Sequence, residues 1–144
     1  MNRNHEGETG HLLEERVWGA VRVDARHSES DEHLTFGAAM ELVRKNQPPI
    51  KAPYAARLWK EVCQRTGKPV KFFTAVRSML DERHKVDGWF ELEGKVVTFD
   101  FTMIPEKPVK THMRIESEEL KDVAGLAGRI AREIASISQL PGRV

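Results

Sequence analysis

Two runs of alternating apolar and polar residues meet at Gly94, and they constrain the fold of this chain more than any other feature. Before the glycine, Phe90 and Leu92 alternate with Trp89 and two glutamates. After it, every second residue is apolar: Val97, Phe99, Phe101 and Met103. Alternation places one set of side chains on each face of a strand, and a glycine turn between two such runs indicates a β-hairpin.

Helical periodicity precedes this hairpin in three stretches. In each, apolar residues recur three or four positions apart, and capping residues or prolines mark the ends. Thr35 is a good N-cap for the first, and Gly67 is a typical residue to end the second. The predicted helices are 35–46, 54–66 and 70–83.

The two ends of the chain complete the predicted fold. Val17, Gly19, Val21 and Val23 alternate with polar or larger residues, which predicts a half-buried strand over 15–24. A short strand is predicted at 111–115, and a long apolar helix at 117–138. Residues 1–10 are polar and are predicted to be a disordered tail, with one domain over 11–144. The predicted class is α+β, with a small antiparallel sheet of three or four strands packed with about four helices.

Charge is nearly balanced over the whole chain, at a formal net charge of +1, but it is unevenly distributed. Between positions 44 and 85, eleven Lys and Arg residues stand against three acids, which leaves a local charge of +8. A concentrated positive charge attracts polyanions. The position of this block on two predicted helices therefore suggests binding of nucleic acid, most simply DNA.

The order of helix, helix, short turn, helix and hairpin over about 35–104 resembles a winged helix-turn-helix. The resemblance is architectural and rests on no sequence motif. It implies that the third helix enters a DNA groove while nearby cations hold the phosphates. The residues predicted to bind nucleic acid are Arg57, Lys60, Arg65, Lys68, Lys71, Thr74, Arg77 and Ser78.

Acidic residues in the same region keep other functions open. Asp81 lies on the exposed face of the predicted third helix, and the predicted wing carries Asp87, Glu91 and Glu93. These acids would repel phosphate. The second hypothesis is a protein-interaction or adaptor domain that binds an acidic partner. The third is an enzyme whose site gathers histidines and carboxylates from distant segments.

The apolar face of the last predicted helix is wider than a surface helix needs. It could lie across the chain's own sheet or pair with a second copy, so that a homodimer presents two basic surfaces. The residues predicted for such an interface are Leu126, Ile130, Ile134 and Ile137.

Signatures of metal or cofactor chemistry are weak. Cys63 is the only cysteine, which excludes an internal disulfide. Glu93 and Lys95 have the E-x-K spacing of one nuclease superfamily, but Gly94 between them is better explained by the hairpin turn. The His, Asp and Glu residues of 27–33 are typical of a polar loop. No catalytic residue, metal or cofactor is predicted, no membrane partner is expected, and the cytoplasm is the expected location.

Overall fold

A four-stranded mixed sheet organises the chain in a computed structural model, which describes residues 12–28, 33–102 and 111–137. The order of the strands in the sheet follows their order in the chain: β1 (Lys71–Thr74), β2 (Gly88–Leu92), β3 (Lys95–Thr102) and β4 (Met113–Glu116). The β1–β2 and β2–β3 pairs are antiparallel, but β4 is parallel to β3. The sheet is therefore mixed, and the prediction of a purely antiparallel one was wrong.

The helices within these ranges are α1 (12–18), α2 (Phe36–Lys45), α3 (Pro53–Thr66), α4 (Met79–His84) and α5 (Val123–Ile137). The Thr35 hydroxyl accepts the Ala38 backbone N–H at 3.0 Å and so caps α2 as predicted. Gly67, at φ +69°, ends α3 in the left-handed region that favours glycine. The first two predicted helices are confirmed.

The predicted hairpin is also confirmed. Leu92 pairs with Lys95, so β2 and β3 are joined by only two residues, Glu93 and Gly94. Both have positive φ, at +53° and +82°. A two-residue turn with this conformation matches the right-handed twist of the strands that it joins.

Two apolar clusters cover opposite faces of the sheet. Phe72, Phe90 and Phe99 point to the face on which α3 and α5 pack. Phe73 and Trp89 point to the other face and join the residues of α2 and α4. Neighbouring strand residues thus serve different cores, as the strand period of two requires. The α+β class is confirmed.

The predicted strand over 15–24 is wrong. The chain is helical to Trp18, and Gly19, at φ +81°, then ends the helix. Trp18 is 2% exposed although the strand pattern placed it on the polar face, and Val23 is 75% exposed although the pattern placed it inside. Within the helix, Leu13 and Val17 are four positions apart and both pack in the core on the α3 side, which is a helical spacing.

The predicted helix over 70–83 is wrong as well. Its first half is β1, and only α4 at its end is helical. Arg77, at φ +78°, lies in the turn between them, and the Ser78 hydroxyl accepts the Leu80 N–H to cap α4. Without a helix over the whole stretch, the groove-reading helix of a winged helix-turn-helix is missing from its expected place.

The C-terminal helix is confirmed with a later start. Ser117–Lys121 forms a 3-10 helix, and α5 follows after Asp122. The Asp122 carboxylate accepts the Gly125 N–H at 3.0 Å, which satisfies a free donor at the helix start.

Candidate functional site

Four of the predicted cations share one side of the molecule. Arg57, Lys60 and Arg65 are exposed on α3, and Lys68 is exposed directly after the glycine that ends it. The opposite side of the helix carries the buried residues that pack on the sheet. Helical packing therefore leaves a row of cations facing solvent.

The end of α3, the hairpin and α5 enclose a cleft of about 320 Å³. Its charged residues are Arg65, Lys68 and Lys95, and its apolar wall includes Leu92, Ala131 and Ile134. We call this the cationic cleft. Its volume lies at the lower end of the range of small-ligand pockets.

A fourth cation stands beside this cleft. The guanidinium groups of Arg65 and Arg132 both lie over Gly128, each with Nη1 3.6 Å from the position that a β-carbon would take there. Two guanidinium groups this close repel each other, and a nearby anion would stabilise both. Neither Arg132 nor Lys95 was among the binding residues predicted from the sequence. The hairpin register held a signal for Lys95, because it shares the face of Val97, the face that α5 covers.

Acids neutralise part of this charge. A Glu61 oxygen lies 3.8 Å from Arg65 Nε. Glu93 Oε1 lies 3.7 Å from Lys68 Nζ and 3.9 Å from Lys95 Nζ. All three separations exceed the length of a charged hydrogen bond, and exposed pairs of this kind are weak. The cleft therefore keeps a positive potential for an incoming anion.

The other predicted nucleic-acid residues lie elsewhere. Thr74 and Ser78 are each 1% exposed, and their hydroxyls donate to the backbone oxygens of Gly19 and Ala75. Their burial removes them from any nucleic-acid contact. Lys71 is exposed, but it shares the sheet face of Phe73, away from α3. Arg77 is tied to Glu15 by an ion pair. These four residues do not join the cleft, which corrects the predicted site.

The residues predicted for a dimer interface are also placed differently. Leu126, Ile130, Ile134 and Ile137 belong to the chain's own core on the α3 side of the sheet. They are therefore not presented to a second copy. The wide apolar face of α5 is explained by its position between α3 and the sheet.

Three carboxylates from distant segments meet at the opposite end of β2. Glu14 comes from α1, Asp81 from α4 and Asp87 from the residue before β2. One oxygen of each lies within 4.8 Å of the others. We call this the carboxylate cluster. Glu14 lies 67 positions before Asp81, and Asp81 and Asp87 belong to different parts of the fold. The spacing of these residues in the sequence therefore gave no signal for the cluster.

Hydrogen bonds fix two members of the cluster. Asp87 Oδ2 accepts the Phe101 backbone N–H at 2.6 Å, and Asp81 Oδ2 accepts that of Arg77 at 2.9 Å. A side-chain hydrogen bond also joins Asp81 to Asp87, which requires a proton on one of the two carboxyl groups. The third member differs, because Glu14 Oε1 is buried without a hydrogen bond to any described residue.

The pKa values agree with a shared proton. Burial, together with the charges of Asp81 and Glu82, raises the pKa of Glu14 to about 8, against the opposing charges of Arg77 and Lys85. Burial likewise raises the pKa of Asp87 well above its ordinary value, with Glu14 and Asp81 adding to the effect. Glu14 therefore favours its protonated form near neutral pH.

Carboxylate oxygens at this spacing are the ligands that hard cations such as Mg²⁺ prefer. A cation would have to displace the shared protons and enter the interior, because Asp81 and Asp87 are buried. Carboxylates from three parts of the fold thus converge here. They converge inside the protein rather than in an open cleft. Of the polar loop at 27–33, residues 29–32 lie outside the described part.

Comparisons with known proteins provide no relative for this chain. A scan of protein-family models, a search of curated proteins and a search of solved structures each found no match. Within the described ranges, no helix combines the length and apolarity needed to span a bilayer. The function has to be inferred from the geometry of the chain itself.

Proposed function

We propose that this protein binds nucleic acid through the cationic cleft and the exposed cations of α3. One observation carries the proposal. Arg65 of α3, Lys68 just after its end and Lys95 of β3 line a single concave surface, with Arg132 beside it. Cations scattered at random over a nearly neutral chain have no reason to converge in this way.

The exposed cations of α3 extend the positive surface beyond the cleft. Arg57 and Arg65 are eight residues apart on the same helix, which corresponds to about 12 Å of rise. Several phosphates of a nucleic-acid backbone fit along this length, since successive phosphates on one strand are spaced by a few ångströms. Contacts of this kind position a protein on a backbone without reading its sequence. The groove-reading helix predicted from the sequence has no part in the proposal.

The test compares two neutralised lysines that differ mainly in the face on which they lie. Lys68→Gln removes a charge from the cleft, whereas Lys71→Gln removes one from the opposite face, three positions away. Binding of fluorescently labelled single-stranded and duplex DNA is measured by anisotropy from about 50 to 300 mM salt, a range in which phosphate contacts weaken steeply.

We expect affinity to fall steeply as salt rises, and Lys68→Gln to reduce the slope of log affinity against log salt by about 1. Lys71→Gln should leave that slope unchanged. Absence of binding to both probes at low salt would refute the proposal. Equal effects of the two substitutions would refute the assignment to this face, and binding only to an acidic protein partner would favour the second hypothesis.

A further inference from the structure

The carboxylate of Glu93 lies where an anionic ligand of the cationic cleft would be expected. One oxygen, Oε1, is shared between the Lys68 and Lys95 ammonium groups, at 3.7 Å and 3.9 Å. These two lysines come from different elements and have no other reason to face the same point. A single oxygen between two cations is the arrangement that a phosphate oxygen would adopt.

The hairpin turn accepts an unfavourable residue at this position. Glu93 has φ +53°, and the first position of such a turn favours asparagine, aspartate or glycine. A longer side chain with a β-carbon is less stable in this left-handed conformation. Turn formation therefore does not explain the glutamate, whereas its contact with the two lysines gives it a role.

The contact is nevertheless easy to break. The Glu93 side chain is 59% exposed, and its two ion pairs are longer than hydrogen bonds. A phosphate group carries more oxygens than a carboxylate and can also accept from the planar Arg65 guanidinium. It can therefore replace Glu93 between the lysines and gain a contact that Glu93 does not make.

We infer that the cationic cleft is a site for one phosphate group and that Glu93 is an internal competitor for it. This inference rests on the proposed function, which assigns binding to the same cleft. It adds which group binds there and which residue competes with that group. The apolar wall of the cleft and the limited volume of the cleft suit one phosphate with its attached sugar. The phosphate can come from the end of a nucleic-acid strand or from a free nucleotide.

The experiment removes the competitor. Glu93→Gln keeps the length of the side chain and removes its charge, and Glu93→Asn does so with a residue that suits the turn. Glu118→Gln is the control, because it removes the same charge from an exposed side chain of the 3-10 helix before α5. Dissociation constants are measured for inorganic phosphate, for a nucleoside monophosphate, and for one oligonucleotide with either a 5′-phosphate or a 5′-hydroxyl end.

Both Glu93 variants should bind the phosphate-bearing probes about threefold to tenfold more tightly than the original chain, while Glu118→Gln should bind them equally well. A preference for the 5′-phosphate oligonucleotide over the nucleotide identifies a strand end as the source, and the reverse identifies a free nucleotide.

Unchanged or weaker binding by the Glu93 variants would overturn the inference, as would an equal gain in Glu118→Gln. If salt-dependent binding of oligonucleotides persists in that case, the proposed function stands without the inference. If only phosphate and the nucleotide bind, the inference stands and the proposed function fails.

Discussion

Replacement of Glu14 by glutamine should make the stability of this protein less dependent on pH. Burial raises the pKa of Glu14 to about 8 from an ordinary value of 4.5. Between these two values the folded chain holds a proton on Glu14 that the unfolded chain releases. Folding therefore takes up a proton, and the stabilising contribution, complete below pH 4.5, is lost as the pH rises towards 8. Glutamine cannot ionise and resembles the protonated acid in size and hydrogen bonding.

The magnitude follows from the size of the shift. Each pKa unit corresponds to about 1.4 kcal/mol, so the full difference between 4.5 and 8 sets an upper limit of about 5 kcal/mol. Glu14 is only partly buried, and water near its carboxyl group reduces this value. We expect the original chain to lose about 2–3 kcal/mol of unfolding free energy between pH 5 and 8 through this group. For a chain of this length, that is a fall of about 6–10 °C in melting temperature.

The assay is thermal unfolding followed by circular dichroism at half-unit steps from pH 5 to 8.5. Glu14→Gln should melt near the original chain at pH 5 and clearly above it at pH 8. Glu118→Gln, at an exposed position, should follow the original chain throughout. Asp87 titrates in the same direction as Glu14, so some pH dependence should persist in Glu14→Gln. Parallel curves for Glu14→Gln and the original chain would show that Glu14 is ionised in the fold, and would refute its raised pKa.

Four further substitutions test the packing and one helix cap. Gly88→Ala should destabilise the fold by about 1–3 kcal/mol, because its β-carbon would lie 2.6 Å from a backbone oxygen of β1. Gly37→Ala in α2 is the control, since a β-carbon there would have no neighbouring atom within 4 Å. It should be neutral or stabilising in the same melting assay. Ile130→Ala should cost about 2–5 kcal/mol in denaturant titration without changing the mass found by sedimentation, since its side chain is buried in the chain's own core; dissociation of a dimer instead would contradict this. Thr35→Ala should cost about 1 kcal/mol in the same titration through loss of the α2 cap, and an unchanged midpoint would show that the cap is not used.

Local signals decided which elements could be predicted from the sequence. The ends of α2 and α3 are marked by Thr35 and Gly67, and the hairpin by Gly94, all within a few residues of the structure that they specify. Where the same apolar pattern fits both a helix and a strand, such local signals do not decide between the two. Phe72 and Phe73 fit a helix, but pairing with Phe90 and Trp89, some 17 positions away, makes them a strand. Long-range pairing of this kind leaves little trace in a short window.

The residues of the two charged sites differ in the same way, since some were predicted from the sequence and others depend on long-range packing. The cations of α3 were predicted because one helix carries them, whereas Lys95 and Arg132 reach the cleft only through the packing of the hairpin and α5 against α3. Burial of Thr74 and Ser78 followed from the strand that replaced the predicted helix. The carboxylate cluster depends on the contact of α1 with the start of β2, which no periodicity in the sequence reports.

The carboxylate cluster and the cationic cleft lie at opposite ends of β2. Each therefore affects a different property of the protein. Asp87 precedes β2 and Glu93 follows it, so six residues of extended chain place them about 20 Å apart. That distance is about two and a half times the screening length at physiological salt. Protonation of the carboxylate cluster therefore changes the potential at the cationic cleft very little. Stability should vary with pH through one end of β2 and anion affinity with salt through the other, so that a substitution at either end leaves the second property unchanged.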